Sequence, residues 1–404
     1  MRILFLATWF PYPPDNGSKL RAYYLLRGLA EGHQVTLLSF AFATARPDAL
    51  GELRDWCSEI QVAPVDPFAL NQAGALRTFL SPRPVASRPV PAMSQLAAQA
   101  LRAQPYDAVI ASTGMMIDYA LQTPPGTARI LEEHNAMTRW AWERYQEASG
   151  AAQRARCWLS WRKGRWYEAR TYPRFDLLTM VSAADRQATL DAAGRRGPRV
   201  EVVPNGVDCA HNRPGLAQPR PNSLVFNGSL TYSANYDAVQ WFLAEVWPRI
   251  RAQVPEATLA ITGATAGVDL AGLALDDSVT LLGYVEDVRL PVAGAAVAVA
   301  PIRQGGGTRL KILEAMALGT PVVATSKGAE GLDVADGEHL LLADDPERFA
   351  SQTIRLVSDA DLHGRLAANA RHLVETRYDW QQIGQKFVAL VNETMTQVKA
   401  SFDE

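Results

Sequence analysis

The chain alternates short apolar runs with longer stretches in which apolar residues recur every three or four positions. RILFLATWF is nearly unbroken apolar sequence, too short for a typical helix and ended by the turn-rich PYPPDNG, so it predicts a buried strand. SKLRAYYLLRGLAEG follows, with Leu20, Tyr23, Tyr24 and Leu26 at roughly helical spacing and Gly32 as the stop, and HQVTLLSFA reads as a second strand. Strand, loop, helix and strand make a βαβ unit. Its first loop lies at the carboxyl end of the first strand, where open parallel sheets bind ligands. YDAVIAS and ARILEEH predict further buried strands, LLTMVSAAD repeats the strand-then-turn pattern, and VEVVPNGVD closes this half.

A turn-rich linker, CAHNRPGLAQPRPN (Cys209–Asn222), separates a second half of the same kind. SLVFNGS, ATLAITGA, VTLLGYVED, AVAVAPI, TPVVATS and HLLLADD are short and often β-branched, and helical segments are expected at Asp237–Ala252, Arg309–Ala317 and Pro346–Val357. The expected fold is therefore α/β: two Rossmann-like parallel-sheet domains, 1–208 and 209–379, facing each other across a cleft. A last helix over 380–404 has no strand after it and is expected to pack back across the junction.

Length agrees with this division, since 404 residues exceed what one core usually serves. A net charge of −2 argues against a general nucleic-acid binder. Cys57, Cys157 and Cys209 are odd in number and far apart, which gives no disulfide framework or zinc spacing and suits a reducing compartment. No apolar run reaches the roughly 18 residues of a membrane span, and the first residues lack a small-residue cleavage site, so the cytoplasm is the expected location. One segment stands apart. Arg139–Arg170 holds five of the ten tryptophans (Trp140, Trp142, Trp158, Trp161, Trp166) and eight Lys/Arg against three Glu. The simpler expectation is a helical insert whose aromatics pack on the N-terminal sheet. The alternative is a basic surface for anionic lipid or a lipid-linked acceptor.

The stretch PIRQGGGTRLKILEAMALGTPVVAT (Pro301–Thr325) carries the chemistry. A loop of three glycines joins the strand AVAVAPI to a helix with Leu310, Leu313, Met316 and Ala317 toward the core and Gly319 as its stop. A plain tight turn needs one glycine and would leave Lys311 and Glu314 as a surface i,i+3 pair. Three glycines at a helix start, with Arg309 and Lys311 beside them, predict an anion site built from backbone N–H groups and two cations. The order is neither that of a P-loop nor G-x-G-x-x-G.

With GYVEDV upstream, KGAEGL downstream and VPNGVD at Val203–Asp208, this stretch resembles the donor site of family 4 glycosyltransferases of the GGGTRLK type, found in cell-envelope and polysaccharide pathways. The resemblance implies the GT-B fold and retaining transfer of a sugar from a nucleotide-diphospho-sugar to a hydroxyl of a glycan or lipid-linked acceptor. It implies no metal and no cofactor beyond the donor. Many members of the family act on lipid-linked sugars at the inner membrane face, and the basic Trp-rich segment makes peripheral contact there the matching expectation. Glu314 matches the second glutamate of the family's E-x7-E motif and should hold the ribose hydroxyls. The first falls on Gly306, so amides of Gly305, Gly306, Gly307 and Thr308 take its place at the sugar. The family's cations after the first strand of the donor domain are missing from FNGSLTYSANYDA. Asn227, Gly228, Ser229 and Asn235 stand there, which leaves the diphosphate to Arg309 and Lys311. Tyr284 and Val285 match the segment along the base. Asn16 and Gly17 match the loop near the phosphates and acceptor, and His134, flanked by Glu133 and Asn135, matches a histidine that contacts the donor sugar. His33 reads as a turn residue. Asp359–Ala360–Asp361 has a metal-binding spacing, but its place between two helical segments reads as a helix cap. An epimerase on the same fold and a non-catalytic binding partner are the rival readings. A phosphorylase would need a lysine for pyridoxal phosphate, and no such motif stands out.

Overall fold

Strands that are apolar along their whole length must be covered on both faces, and they form the middle of two parallel sheets. The computed structural model describes residues 1–42, 49–69, 81, 83–84, 88–193, 197–305 and 308–403. The chain divides into two compact units, Met1–Pro204 with Ile383–Glu404, and Asn205–Gln382.

The first unit holds β1 (Arg2–Ala7), β2 (Gln34–Phe40), β3 (Cys57–Ala63), β4 (Ala108–Ser112), β5 (Ala128–Glu132), β6 (Leu177–Met180) and β7 (Arg199–Val202) in the order β3-β2-β1-β4-β5-β6-β7. Every pairing is parallel. Central β1 and β4 are buried throughout their apolar cores. Edge strand β3 escapes the reading of apolar runs, because Ser58, Glu59 and Gln61 interrupt it and part of it faces solvent. Helices α1 (Gly17–Ala30), α2 (Pro91–Ala103), α3 (Met137–Glu147), α4 (Ala151–Thr171) and α5 (Ala183–Ala193) connect the strands.

The inward face of α1 differs from the expected one. Ala22, Leu25, Leu26 and Leu29 are buried together with Lys19 and Arg21, while Leu20, Tyr23 and Tyr24 are half-buried. Tyr23 packs edge-on to Trp56 with ring centroids 4.7 Å apart. The C-terminal helix (Trp380–Asp403) lies against α1, where a Cβ added at Gly28 would stand 3.3 Å from the Gly384 Cα. Ion pairs Arg199–Glu393 (2.8 Å) and Lys399–Asp107 (2.5 Å) fix it further along.

The second unit repeats the plan with β8 (Arg220–Asn227), β9 (Thr258–Thr262), β10 (Val279–Gly283), β11 (Ala295–Ala300), β12 (Val322–Ala324) and β13 (Leu341–Leu342), ordered β10-β9-β8-β11-β12-β13. Helices α6 (Ser233–Trp241) and α7 (Trp247–Gln253) are joined by a π turn at Phe242–Val246, directly before Pro248, which has no N–H to continue the ladder. Phe242, Trp247 and Phe349 form the aromatic centre of this core.

Then follow α8 (Leu310–Ala317), α9 (Pro346–Ser358) and α10 (Ala360–Leu373). Helix α8 is buried on more than one side: Ile312 and Ala315 join Leu313, Met316 and Ala317 inside, and Leu310 is half-buried. Gly319, at φ +78°, ends it. Asp359 caps α10 by accepting from the Leu362 amide at 2.9 Å. No described helix is long and apolar enough to cross a membrane.

Candidate functional site

In the second unit β8 and β11 are neighbours, so Asn227 and Ala300 end at the same edge of the sheet. The chain turns at Gly228 after one and runs through the glycine loop into α8 after the other. A Cβ at Gly228 would sit 2.5 Å from Lys311 Nζ and 2.8 Å from Asn235 Nδ2, so the missing side chain makes room for the ammonium. Gly263 follows β9 at φ +109°, and a Cβ there would meet the Gly228–Ser229 backbone at 2.5 Å. The two strand-end turns can nest this closely only as glycines.

Lys311 and Glu314 lie one turn apart on α8, and they are not the surface pair of a plain turn. Lys311 Nζ donates to Asn235 Oδ1 at 2.9 Å and stands 4.2 Å from the Phe226 ring centre. Burial, then the Arg309 charge, push the ammonium pKa down to about 7. Glu314 Oε2 accepts from Asn227 Nδ2 at 3.0 Å, and Asn227 Oδ1 in turn accepts from Thr262 Oγ1 at 3.0 Å. Burial raises the Glu314 pKa. The result is a cation and a carboxylate on one helix turn, the carboxylate held by Asn227 at the end of β8 and the ammonium by Asn235 in the first turn of α6. Fixed groups of this kind suit a polyanion next to a diol.

Arg309 is 9% exposed and folds over the loop, donating to the carbonyls of Gln304 at 3.2 Å and Gly305 at 2.6 Å. Gly305 has φ +90°. Thr308 Oγ1 is buried with no hydrogen-bond partner among the described residues. Gly306 and Gly307 lie outside the described residues. Ser229 Oγ bonds Thr231 Oγ1 at 2.7 Å, and Asn235 Nδ2 donates to the Ser229 carbonyl at 2.8 Å. Tyr284 is 83% exposed just beyond β10, and Val285 is half-buried.

In the first unit the ends of β4 and β5 meet the start of α1. Glu132 is fully buried, ion-pairs with Arg21, and accepts from Ser112 Oγ at 2.8 Å and from His134 Nε2 at 3.2 Å. Burial opposes the charge on Glu132, but Arg21 and then His134 outweigh it and hold the carboxyl well below its usual range. With Nε2 donating to the carboxylate, Nδ1 is left to accept from Ser18 Oγ at 3.2 Å. Trp9 stacks on the ring with centroids 6.3 Å apart. His134 is thus the half-buried outer end of a buried Arg21–Glu132 pair, with both ring nitrogens engaged. Asn16 caps α1, its Oδ1 accepting from the Ser18 and Lys19 amides at 3.1 Å, and Gly17 opens the helix.

The reading of the sequence missed Arg21, Glu132, Ser112, Ser18 and Trp9 as parts of this cluster. Glu132 was within reach as an acid two residues before His134 at a strand end; the others come together only through register.

Behind this cluster Tyr172 donates to Glu133 at 3.2 Å and Thr138 to Glu168 at 2.8 Å. Burial, reinforced by neighbouring carboxylates, lifts Glu133 to about 8, and burial lifts Glu168 to about 7.

Two parallel-sheet units of this topology define the fold of the GT-B glycosyltransferases. Residues 16–211 match the family described as Glycosyltransferase Family 4, and residues 221–359 that described as Glycosyl transferases group 1. The first match falls almost entirely in the first unit and the second wholly in the second. The phosphatidyl-myo-inositol mannosyltransferase of Mycolicibacterium smegmatis is 30% identical over 54% of this chain and 56% of its own. The D-inositol 3-phosphate glycosyltransferase of Frankia alni is 33% identical over 48% and 53%. An uncharacterized 44.6 kDa protein in the cps region of Klebsiella pneumoniae is 28% identical over 40% and 44%. The chain spans about half the length of these curated relatives. Among solved structures, sucrose-phosphate synthase from Thermosynechococcus elongatus superposes with TM-score 0.71 at 18% identity, over 98% of this chain and 100% of that one. Anabaena HepE, solved with UDP and glucose, gives 0.67 at 18%, over 97% and 100%.

Proposed function

We propose that the chain is a retaining glycosyltransferase that moves a sugar from a nucleotide-diphospho-sugar to a hydroxyl of a glycan or lipid-linked sugar in polysaccharide or glycolipid synthesis. The observation that carries this reading is the Lys311–Glu314 turn, with Glu314 held by Asn227 at the end of β8 and Lys311 by Asn235 at the start of α6. Lys311 and Arg309 take the diphosphate, Glu314 the ribose hydroxyls, and Tyr284 with Val285 the base. Gly228, Ser229, Gly305 and Thr308 line the phosphates and sugar.

As the bond from the anomeric carbon to the diphosphate oxygen breaks, the electron pair leaves with the diphosphate. Lys311, Arg309 and the start of α8 stabilise that charge. The acceptor hydroxyl adds on the same face and its proton passes to a leaving phosphate oxygen, so no enzyme nucleophile, metal or cofactor is required. His134, steadied by Glu132, and the Asn16–Gly17 turn serve the sugar and acceptor side in the first unit. The cytoplasm, where nucleotide sugars are at hand, is the proposed compartment. Support comes from relatives whose names describe glycosyl transfer and from HepE, solved with UDP and glucose.

The test is a thermal-shift panel of UDP, GDP, ADP and dTDP on the wild type, Arg309→Ala and Lys311→Met. A diphosphate at 100 times its Kd should stabilise the wild type by about 2.7 kcal/mol and the variants by clearly less. Release of the free diphosphate from the matching nucleotide sugar then reports turnover. Stabilisation by none of the four, with no release, would sink the proposal.

A further inference from the structure

The helical pair α3–α4 leaves its aromatics on the surface, against the simpler expectation from the sequence. Trp140, Trp142, Trp158 and Trp166 are 37%, 36%, 46% and 47% exposed. The pair is closed by other means: Trp142 packs on Trp161 with centroids 4.6 Å apart, and Thr138 bonds the buried Glu168. On α4, Cys157, Gly164, Glu168 and Thr171 fall on the inner half of the helix at roughly 100° per residue, half-buried Trp161 lies at the edge of that half against Trp142, and Trp158, Arg162, Arg165, Trp166 and Arg170 fall on the other half.

That outer half has a repeat. An arginine stands four residues after a tryptophan and lies over its ring in Trp140–Arg144 (5.0 Å), Trp158–Arg162 (5.9 Å), Trp161–Arg165 (5.4 Å) and Trp166–Arg170 (5.4 Å). Arg154 lies over Tyr145 at 5.3 Å. The charge is not balanced locally. Glu168 is buried, Glu143 pairs with Arg139 at 3.4 Å, and Glu147 is left as the fully exposed acid. Arg144, Arg154, Arg156, Arg162, Arg165 and Arg170 are all exposed.

We infer that α3–α4 is a docking surface for the anionic face of a lipid bilayer. An indole, apolar in its body and polar at its N–H, is suited to the depth of the headgroups. A guanidinium stacked on that ring keeps its in-plane N–H groups free for lipid phosphates, which it can grip in pairs. The repeat runs along a helix flank instead of gathering in one patch, which fits a laterally extended, fluid partner better than a shaped protein pocket. The exposed acid content is too low to repel such a surface, and the basic excess draws the protein to it through the field of the anionic headgroups.

Vesicle flotation without nucleotide tests this independently of the glycosyl-transfer reading. The wild type should float with vesicles of phosphatidylcholine and phosphatidylglycerol at low salt, stay behind with phosphatidylcholine alone, and lose at least tenfold in binding at about 0.5 M salt. Trp158→Ser/Trp166→Ser and Arg162→Gln/Arg170→Gln should each bind at least tenfold more weakly, with melting temperature and response to a nucleoside diphosphate kept. Absence of flotation at low salt, equal binding to neutral vesicles, or variants that float like the wild type would each overturn the inference.

Discussion

Lys311→Met should stabilise the resting protein and weaken it as a diphosphate binder. The ammonium titrates at about 7 instead of 10.5 because burial, and then Arg309, disfavour its charge. Between those two values the unfolded chain holds more protons than the folded one, so this residue makes stability rise with pH across that window, and its cost is nearly complete at pH 7. The difference between 10.5 and about 7 corresponds to roughly 5 kcal/mol; the side chain is partly exposed, and screening leaves about 2 kcal/mol. Methionine keeps the contact with Phe226 and loses the bond to Asn235, about 1 kcal/mol. The net gain at pH 7 is about 1 kcal/mol, or about 2–4 °C in a unit of this size, and it turns into a loss of about 1 kcal/mol as the pH nears 10 and only the missing Asn235 bond remains. In the complex, a charge about 4 Å from a phosphate is worth roughly 4 kcal/mol at an effective dielectric of 20. Arg309 shares the load, so the variant should bind a nucleoside diphosphate about 30 to 150 times more weakly, a loss of about 2–3 kcal/mol. Melting curves of both proteins at pH 7 and pH 9.5, with and without the diphosphate, read both effects. A variant that melts below the wild type at pH 7, or that keeps the full ligand-induced shift, would refute the reasoning.

Glu133→Gln and Glu168→Gln should flatten the pH profile of the first unit. Their folded pKa values of about 8 and about 7 lie above the ordinary carboxyl value of 4.5, so the wild type loses stability as pH rises across that window, and urea midpoints at pH 5.5 and 8.5 measure the difference. Arg21→Met strands the buried Glu132 charge and should cost about 3–5 kcal/mol, seen as a fall in urea midpoint. An effect below about 1 kcal/mol would mean that water reaches the carboxylate. Asp359→Ala removes a helix cap, so melting should fall by the equivalent of about 1 kcal/mol while nucleotide-sugar turnover and its indifference to EDTA are unchanged.

The sheets were legible because their central strands hold unbroken apolar stretches, as AVAVAPI and the ILFLA of β1 show. Strand β3 and helix α2 were not, since Glu59 and Gln61 break the alternation in one, and the Ala- and Gln-rich sequence of the other lacks contrast. At the glycine loop the residue types suggested an anion site, but the asparagines that aim Lys311 and Glu314 sit more than 70 positions away and meet them through the register of β8 and β11. The Arg21–Glu132 pair was hidden for the same reason: 111 residues separate its members, and a charged residue on a helix is ordinarily read as solvated. The tryptophan-to-arginine spacing of four in α4 was present in the letters. Periodicity arguments look for apolar faces and pass over a face made of alternating rings and cations.

The return of the C-terminal helix to the first unit has a consequence for how the chain is made. The second unit, Asn205–Gln382, is one continuous stretch, so all its strands have been synthesised before the first unit is complete. The first unit must hold its sheet with the flank of α1 around Gly28 uncovered until Gly384 and the residues after it emerge. Order of synthesis therefore favours a sequence in which the second-made unit closes first. A break in the chain near residue 382 would spare the second unit and undo the first.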